Sequence, residues 1–82
     1  MRVAVDISLY PLQEGLIPPI RDVIERIKRH PEVFVETNTM STQIRGDYDD
    51  VMRLLREEIR TTFEALPKAV FVMKILNNPI AD

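Results

Sequence analysis

Two hydrophobic periods alternate along this chain, and their order leaves few folds open. Val3, Val5, Ile7 and Leu9 recur at every second position, between Ala4, Asp6, Ser8 and Tyr10. A period of two is that of a strand with one apolar face and one mostly polar face. Pro11 ends this strand, because it has no N–H to give to a ladder. Beyond the loop Gln13-Glu14-Gly15, Pro18 and Pro19 suit the first turn of a helix, where a missing N–H costs nothing. Ile20, Val23, Ile24 and Ile27 then follow at i, i+3, i+4 and i+7, which draws one apolar stripe. Arg21, Asp22, Glu25, Arg26, Lys28 and Arg29 cover the other side, and Pro31 stops the helix.

The second half repeats the scheme. Strands are predicted over roughly residues 32–37 and 42–46, and the short link between them suggests an antiparallel hairpin. Asp47 is a good N-cap, and Asp50 sits where a carboxylate favours the first turn. The helix over 48–66 places Val51, Leu55, Ile59, Phe63 and Leu66 on one side, widened by Met52 and Leu54. Pro67 terminates it. Val70 to Leu76 reads as the last strand, Asn77-Asn78-Pro79 as a turn, and the tail ends at Asp82. The order β-α-β-β-α-β is that of an α+β, ferredoxin-like unit: a four-stranded antiparallel sheet with two helices on one face. Right-handed crossovers put the first and third strands in the centre. No linker, low-complexity stretch or second domain is visible, so residues 1–82 read as one domain.

Composition removes whole classes of function. The net charge is −2, which gives no electrostatic footprint for nucleic acid or an anionic membrane. With no cysteine there is no disulfide, zinc-thiolate site or thiol nucleophile. His30 precedes Pro31 at the helix end, where it reads as a partner of the helix dipole rather than a ligand or base. The N-terminal Met1 to Asp6 has no long apolar core and does not read as a signal peptide. No apolar run reaches the ~18 residues of a membrane span. The expected location is cytoplasmic.

One face of the sheet stays free of helices. Val3, Val5, Ile7, Leu9, Val33, Val35, Ile44, Phe71, Met73 and Ile75 are expected to point at the helices. Tyr10, Phe34, Val70 and Val72 then form an apolar patch on the free face, among Asp6, Ser8, Glu36, Asn38, Gln43, Arg45 and Lys74. Asp6 is expected beside Arg45. Patches of this kind mark interfaces, so two copies are expected to meet through their sheets as a homodimer.

The most unusual stretch lies at the predicted hairpin. Thr37, Asn38, Thr39, Ser41, Thr42 and Gln43 put six uncharged hydrogen-bonding side chains into seven consecutive positions. Neutral donors and acceptors are what a site needs to read a small polar heterocycle. The alternative is a turn whose Asn and Ser side chains cap their own backbone. Other chemistries fit poorly. The lone histidine is remote from Ser8 and Ser41, so nucleophilic catalysis lacks a base. Asp47-Tyr48-Asp49-Asp50, the only acidic cluster along the sequence, reads as a capped helix start, so no metal is expected. Two glycines leave no room for a phosphate loop. RNA recognition would need aromatics on the central strands, which offer only Tyr10. An acylphosphatase-like site would need an Arg after the first strand, where the loop carries Glu14.

The residues also resemble a known family. Ile7-Ser8-Leu9-Tyr10-Pro11-Leu12, then Glu36 through Tyr48, then Val51-Met52, are similar in identity and spacing to the YkoF-like thiamine/hydroxymethylpyrimidine-binding family. The similarity spans nearly the whole chain. It implies ferredoxin-like modules that associate through their sheets, and binding rather than catalysis. YkoF itself has two modules per chain and this chain has one, so a homodimer or a tetramer would supply the partner. For an aminopyrimidine edge the candidates are Ser8, Asn38, Thr39, Ser41 and Thr42. For a cationic thiazolium they are Asp6, Glu36 and Tyr10, with Met40 as an adaptable ring contact. Each has a structural alternative: Ser8 as a small interface residue, Asp6 as a partner of Arg45, Glu36 as an edge-strand charge, Tyr10 and Met40 as dimer packing. Asn38 and Ser41 are the least readily explained by structure. The expected function is a small oligomeric binding protein for thiamine or its pyrimidine precursor, without catalytic residues, cofactor or metal. The alternative is a ligand-free oligomerisation or regulatory module of the same fold.

Overall fold

The strand and helix periods of the sequence become β1 (Arg2–Pro11), α1 (Ile17–Lys28), β2 (Phe34–Thr37), β3 (Thr42–Asp47), α2 (Tyr48–Ala65) and β4 (Ala69–Asn77) in a computed structural model. The model describes residues 1–80; the tail end, Ala81 and Asp82, lies outside the described residues. The sheet runs β2-β3-β1-β4 with every neighbour antiparallel, so β3 and β1 are central as expected. The fold is α+β and ferredoxin-like.

Direct cross-strand partners share a face, so the register sorts the side chains. On the inner face Val35, Ile44, Val5 and Ile75 form one row, and Thr37, Thr42, Ile7 and Met73 the next. On the outer face the rows are Phe34–Arg45–Ala4–Leu76 and Glu36–Gln43–Asp6–Lys74, followed by Ser8–Val72 and Tyr10–Val70. The core is Val3, Val5, Ile7 and Leu9 of β1, Ile44 of β3, Val23 and Ile27 of α1, and Val51, Leu54 and Leu55 of α2. Tyr10, Phe34, Val70, Val72 and Leu76 stand exposed on the outer face.

Four expectations need correction. β2 starts at Phe34 rather than Glu32, because Pro31 has no N–H to donate and the Glu32 carboxylate is held by His30 at 2.8 Å. Ile75 faces inward but is 50% exposed, since it lies on the edge strand, beyond the cover of the helices. Phe63 is also half exposed, and packs on Phe71 with ring centroids 5.6 Å apart and planes tilted by 48°. Helical geometry explains this: at about 100° per residue, Phe63 lies about 120° round from Val51, whereas Glu58 and Thr62 lie within about 20° of it. The inward stripe of α2 therefore ends in two polar residues. Finally, Asp6 does not meet Arg45. Its direct partner is Gln43, while Arg45 stacks 4.4 Å over the Phe34 ring and approaches Glu36 at 3.7 Å.

Asp47 caps α2 as read, its carboxylate accepting from the Asp49 N–H at 3.2 Å. His30 is not simply a dipole partner. It lies just past α1, and its ring bridges Glu32 on one side and Glu58 of α2 on the other, at 2.8 and 2.7 Å. Arg26 joins the same clasp through Glu58 and Thr62, both at 2.7 Å. Burial, the largest single influence, opposes protonation of His30. The hydrogen bonds to Glu58 and Glu32 and their charges outweigh it, and the pKa is raised above 6.5. Glu32 moves the other way, held down by its own backbone N–H and then by His30.

Candidate functional site

The β1 strand and α1 diverge where the chain leaves Pro11, and the gap between them opens a cavity of about 470 Å³. One wall is α1 with the loop before it: Leu12, Leu16, Ile20, Val23, Ile24 and Ile27. The floor is the inner face of the sheet, with Ile7, Leu9, Thr37, Thr42 and Phe71. The β2–β3 turn closes the end with Asn38, Thr39, Met40 and Ser41. Along the α1 wall Val23 and Ile27 are buried, whereas Ile20 and Ile24 of the same stripe stay partly open. The cavity thus lies on the helix side of the sheet, at the strand 2–3 region.

The proline-free turn owes its shape to Asn38. Its Oδ1 accepts from the N–H groups of Met40 and Ser41 at 2.8 and 3.1 Å, and its own N–H donates to the Ser41 carbonyl at 3.0 Å. The self-capping alternative is therefore realised at Asn38, and its carbonyl is not free for a ligand. Asn38 Nδ2 donates to Gln43 Oε1 at 3.3 Å. Ser41 is equally well explained: its hydroxyl donates to Asp6 Oδ2 at 3.1 Å, and Gln43 Nε2 donates to both groups, at 2.8 and 3.3 Å. The charge of Asp6 thus sits one hydrogen bond behind the cavity end.

Among the residues singled out from the sequence, Asn38, Thr39, Met40, Ser41 and Thr42 line the cavity, and Ser8 and Tyr10 border it along β1 although their positions alternate to the outer face. Asp6 and Glu36 do not; both belong to the outer-face row with Gln43 and Lys74. Thr42 points inward, is 4% exposed, and shares a hydrogen bond with Thr37 at 3.0 Å. Sequence reasoning missed Thr37, the apolar wall of α1, and Leu12 and Leu16. One signal for Thr37 and Thr42 was available: both occupy strand positions whose neighbours two residues away, Val35 and Ile44, pack against or within the core. A pair of hydroxyls at inward positions breaks the pattern and marks a polar spot in an apolar wall.

A second polar group gathers at the far end of α1. His30, Glu57 and Glu58 bring ligand-type atoms within 4.8 Å of one another. Sequence spacing did not foresee it, since it joins two helices. Both imidazole nitrogens are already bound to carboxylates, so the group acts as a clasp between α1 and α2.

Comparison with known proteins agrees with this architecture. The model of the family described as thiamine-binding protein matches residues 5–79. The UPF0045 protein MJ1052 of Methanocaldococcus jannaschii is 29% identical over 76 residues, covering 90% of this chain and 75% of its own length. Its crystal structure superposes with a TM-score of 0.81 at 25% identity, over 99% of this chain and 84% of that one. A Thermotoga maritima protein, TM0486, named as a candidate thiamine biosynthesis/salvage protein, gives a TM-score of 0.84 at 22% identity, over 95% and 85% of the two chains. At that identity the likeness is one of fold. The fold and the lined cavity define a small α+β, ferredoxin-like domain with a cavity between sheet and helix. With the family match over nearly its whole length, this chain belongs to the thiamine-binding protein family.

Proposed function

We propose that this chain is a small cytoplasmic binding protein for thiamine or its hydroxymethylpyrimidine precursor, acting as a homo-oligomer of one domain spanning residues 1–82. The observation that carries the reading is the cavity of about 470 Å³, with apolar walls and neutral polar groups at one end. Its volume falls within the roughly 300–1,000 Å³ of small-molecule sites. The apolar walls suit flat rings, and the Thr37–Thr42 pair suits an aminopyrimidine edge. When one hydroxyl donates to the other, the acceptor keeps a proton to give and the donor keeps lone pairs. A donor and an acceptor thus stand side by side, the complement of an amino group next to a ring nitrogen.

Thr37, Thr42, Ser41, Thr39 and Met40 are the proposed contacts, with Asn38 shaping the turn that holds them, while Ser8 and Tyr10 belong to the outer face. Asp6 acts at one remove, through Ser41, and Glu36 takes no part. The chemistry is binding, and no residue is assigned a catalytic role. Membership of a family named for thiamine binding supports the same reading. Oligomerisation through the outer face is proposed from the exposed Tyr10, Phe34, Val70, Val72 and Leu76.

Isothermal titration with thiamine and with hydroxymethylpyrimidine tests the function. Saturable binding is expected, weakened about tenfold in Thr42→Val, the size of one ordinary hydrogen bond. Absence of heat from both compounds at millimolar concentration would sink it. The exposed outer face would then favour the second reading, an oligomerisation module without a ligand.

A further inference from the structure

Thiamine and its pyrimidine precursor each exist free and as phosphate esters, and the cavity bears on which form it holds. Resting on the binding function proposed above, we infer that the site takes the unphosphorylated compound and rejects the ester. A buried phosphate needs Arg or Lys beside it, or a set of free backbone N–H groups. Among the described residues, none of those lining the cavity carries a charged side chain.

Several backbone donors at the two ends of the cavity are spent as well. The start of α1 borders the cavity through Leu16 and Ile20, and a helix start is where a phosphate would ordinarily settle. Pro18 and Pro19 fill its first turn and remove two N–H groups. The next N–H, of Ile20, donates to the Leu16 carbonyl at 3.3 Å. At the opposite end, the N–H groups of Asn38, Met40 and Ser41 are all consumed within the turn. A fixed negative charge stands behind that end: Asp6 accepts from Ser41 Oγ at 3.1 Å. It repels an anion and favours a ligand that is neutral or cationic. The prolines that make α1 easy to start therefore also remove two of the N–H groups with which a helix start holds an anion.

The deciding pair is hydroxymethylpyrimidine and its monophosphate, because the phosphate there stands one methylene from the ring and cannot remain outside while the ring is bound. The purified 82-residue protein is titrated with these two, and with thiamine and thiamine monophosphate. Each free compound is expected to bind on the order of 100-fold more tightly than its ester, or more. Leu12→Arg, at an exposed position of the lining, supplies the missing cation and is expected to tighten ester binding at least about tenfold. Esters binding as well as the free compounds would overturn the inference and leave the proposed function standing. An unchanged ester affinity in Leu12→Arg, with the fold intact by circular dichroism, would overturn its electrostatic basis. Silence from all four compounds would overturn both.

Discussion

Glu58 is the residue on which the two helices depend, and replacing it with Gln should expose how much the clasp contributes. Its carboxylate accepts from Arg26 Nη1 and from the His30 ring, both at 2.7 Å. The side chains of Arg26, His30 and Glu58 are only 15%, 17% and 13% exposed. Severing a fully buried ion pair costs about 3–5 kcal/mol, and hydrogen bonds to charged groups contribute about 1.5–3 kcal/mol each. Water still reaches this site, Gln keeps one acceptor, and Arg26 retains Thr62 Oγ1 and Asp22. A loss of about 2 kcal/mol is the expected net, equal to about 8–16 °C in Tm for a domain of this size. The pH dependence follows from the His30 shift. Its folded pKa lies above the unfolded 6.5, so protonation stabilises the fold fully below that value and the gain is lost as pH rises through the raised folded pKa. Urea denaturation at pH 6 and pH 8.5, at one protein concentration, should show wild-type stability falling between the two and Glu58→Gln falling much less. A loss under about 0.5 kcal/mol at pH 6, or a variant with the wild-type slope, would refute the clasp.

Two other substitutions probe different layers. Val72→Glu puts a carboxylate on the exposed apolar face; sedimentation velocity should show the oligomer dissociating, and an unchanged profile would exclude assembly through the sheets. Gly46→Ala should cost about 1–3 kcal/mol by thermal denaturation, because the added Cβ would lie 3.0 Å from Val33 Cγ1 and 3.4 Å from Val51 Cγ2; a neutral result would mean that Val33 moves aside freely.

Much of the fold was legible because its causes are local. Period two placed β1, period 3.6 placed α1, and prolines and an Asp cap set the boundaries. Errors arose where the cause was tertiary. Phe63 looked like core because its spacing from Ile59 is helical, yet the phase set by Val51, Leu54 and Leu55 turns it outward. Glu58 and Thr62 were not singled out, although they sit in that same phase and are held by Arg26 of α1. Asp6 was matched to Arg45 by charge, whereas the register gave it Gln43.

The candidate site divides in the same way. The neutral polar run was conspicuous as sequence, and the turn it forms does border the cavity. Which of its members face inward was not legible, because a strand's side chains alternate and only the sheet register fixes the phase. Thr42 went to the helix side and Asp6 to the other. The apolar wall was hidden for another reason: a residue lining a cavity and one filling a core obey the same periodicity, so Ile20 and Ile24 read as packing. The sequence by itself determined the elements, their order and the composition of the turn, since backbone geometry and burial act through near neighbours. The tertiary structure alone decided that α1 parts from β1 far enough to leave a cavity, and that Arg26, His30, Glu58 and Thr62 meet. Both depend on the distance between elements remote in the chain, which no local pattern encodes.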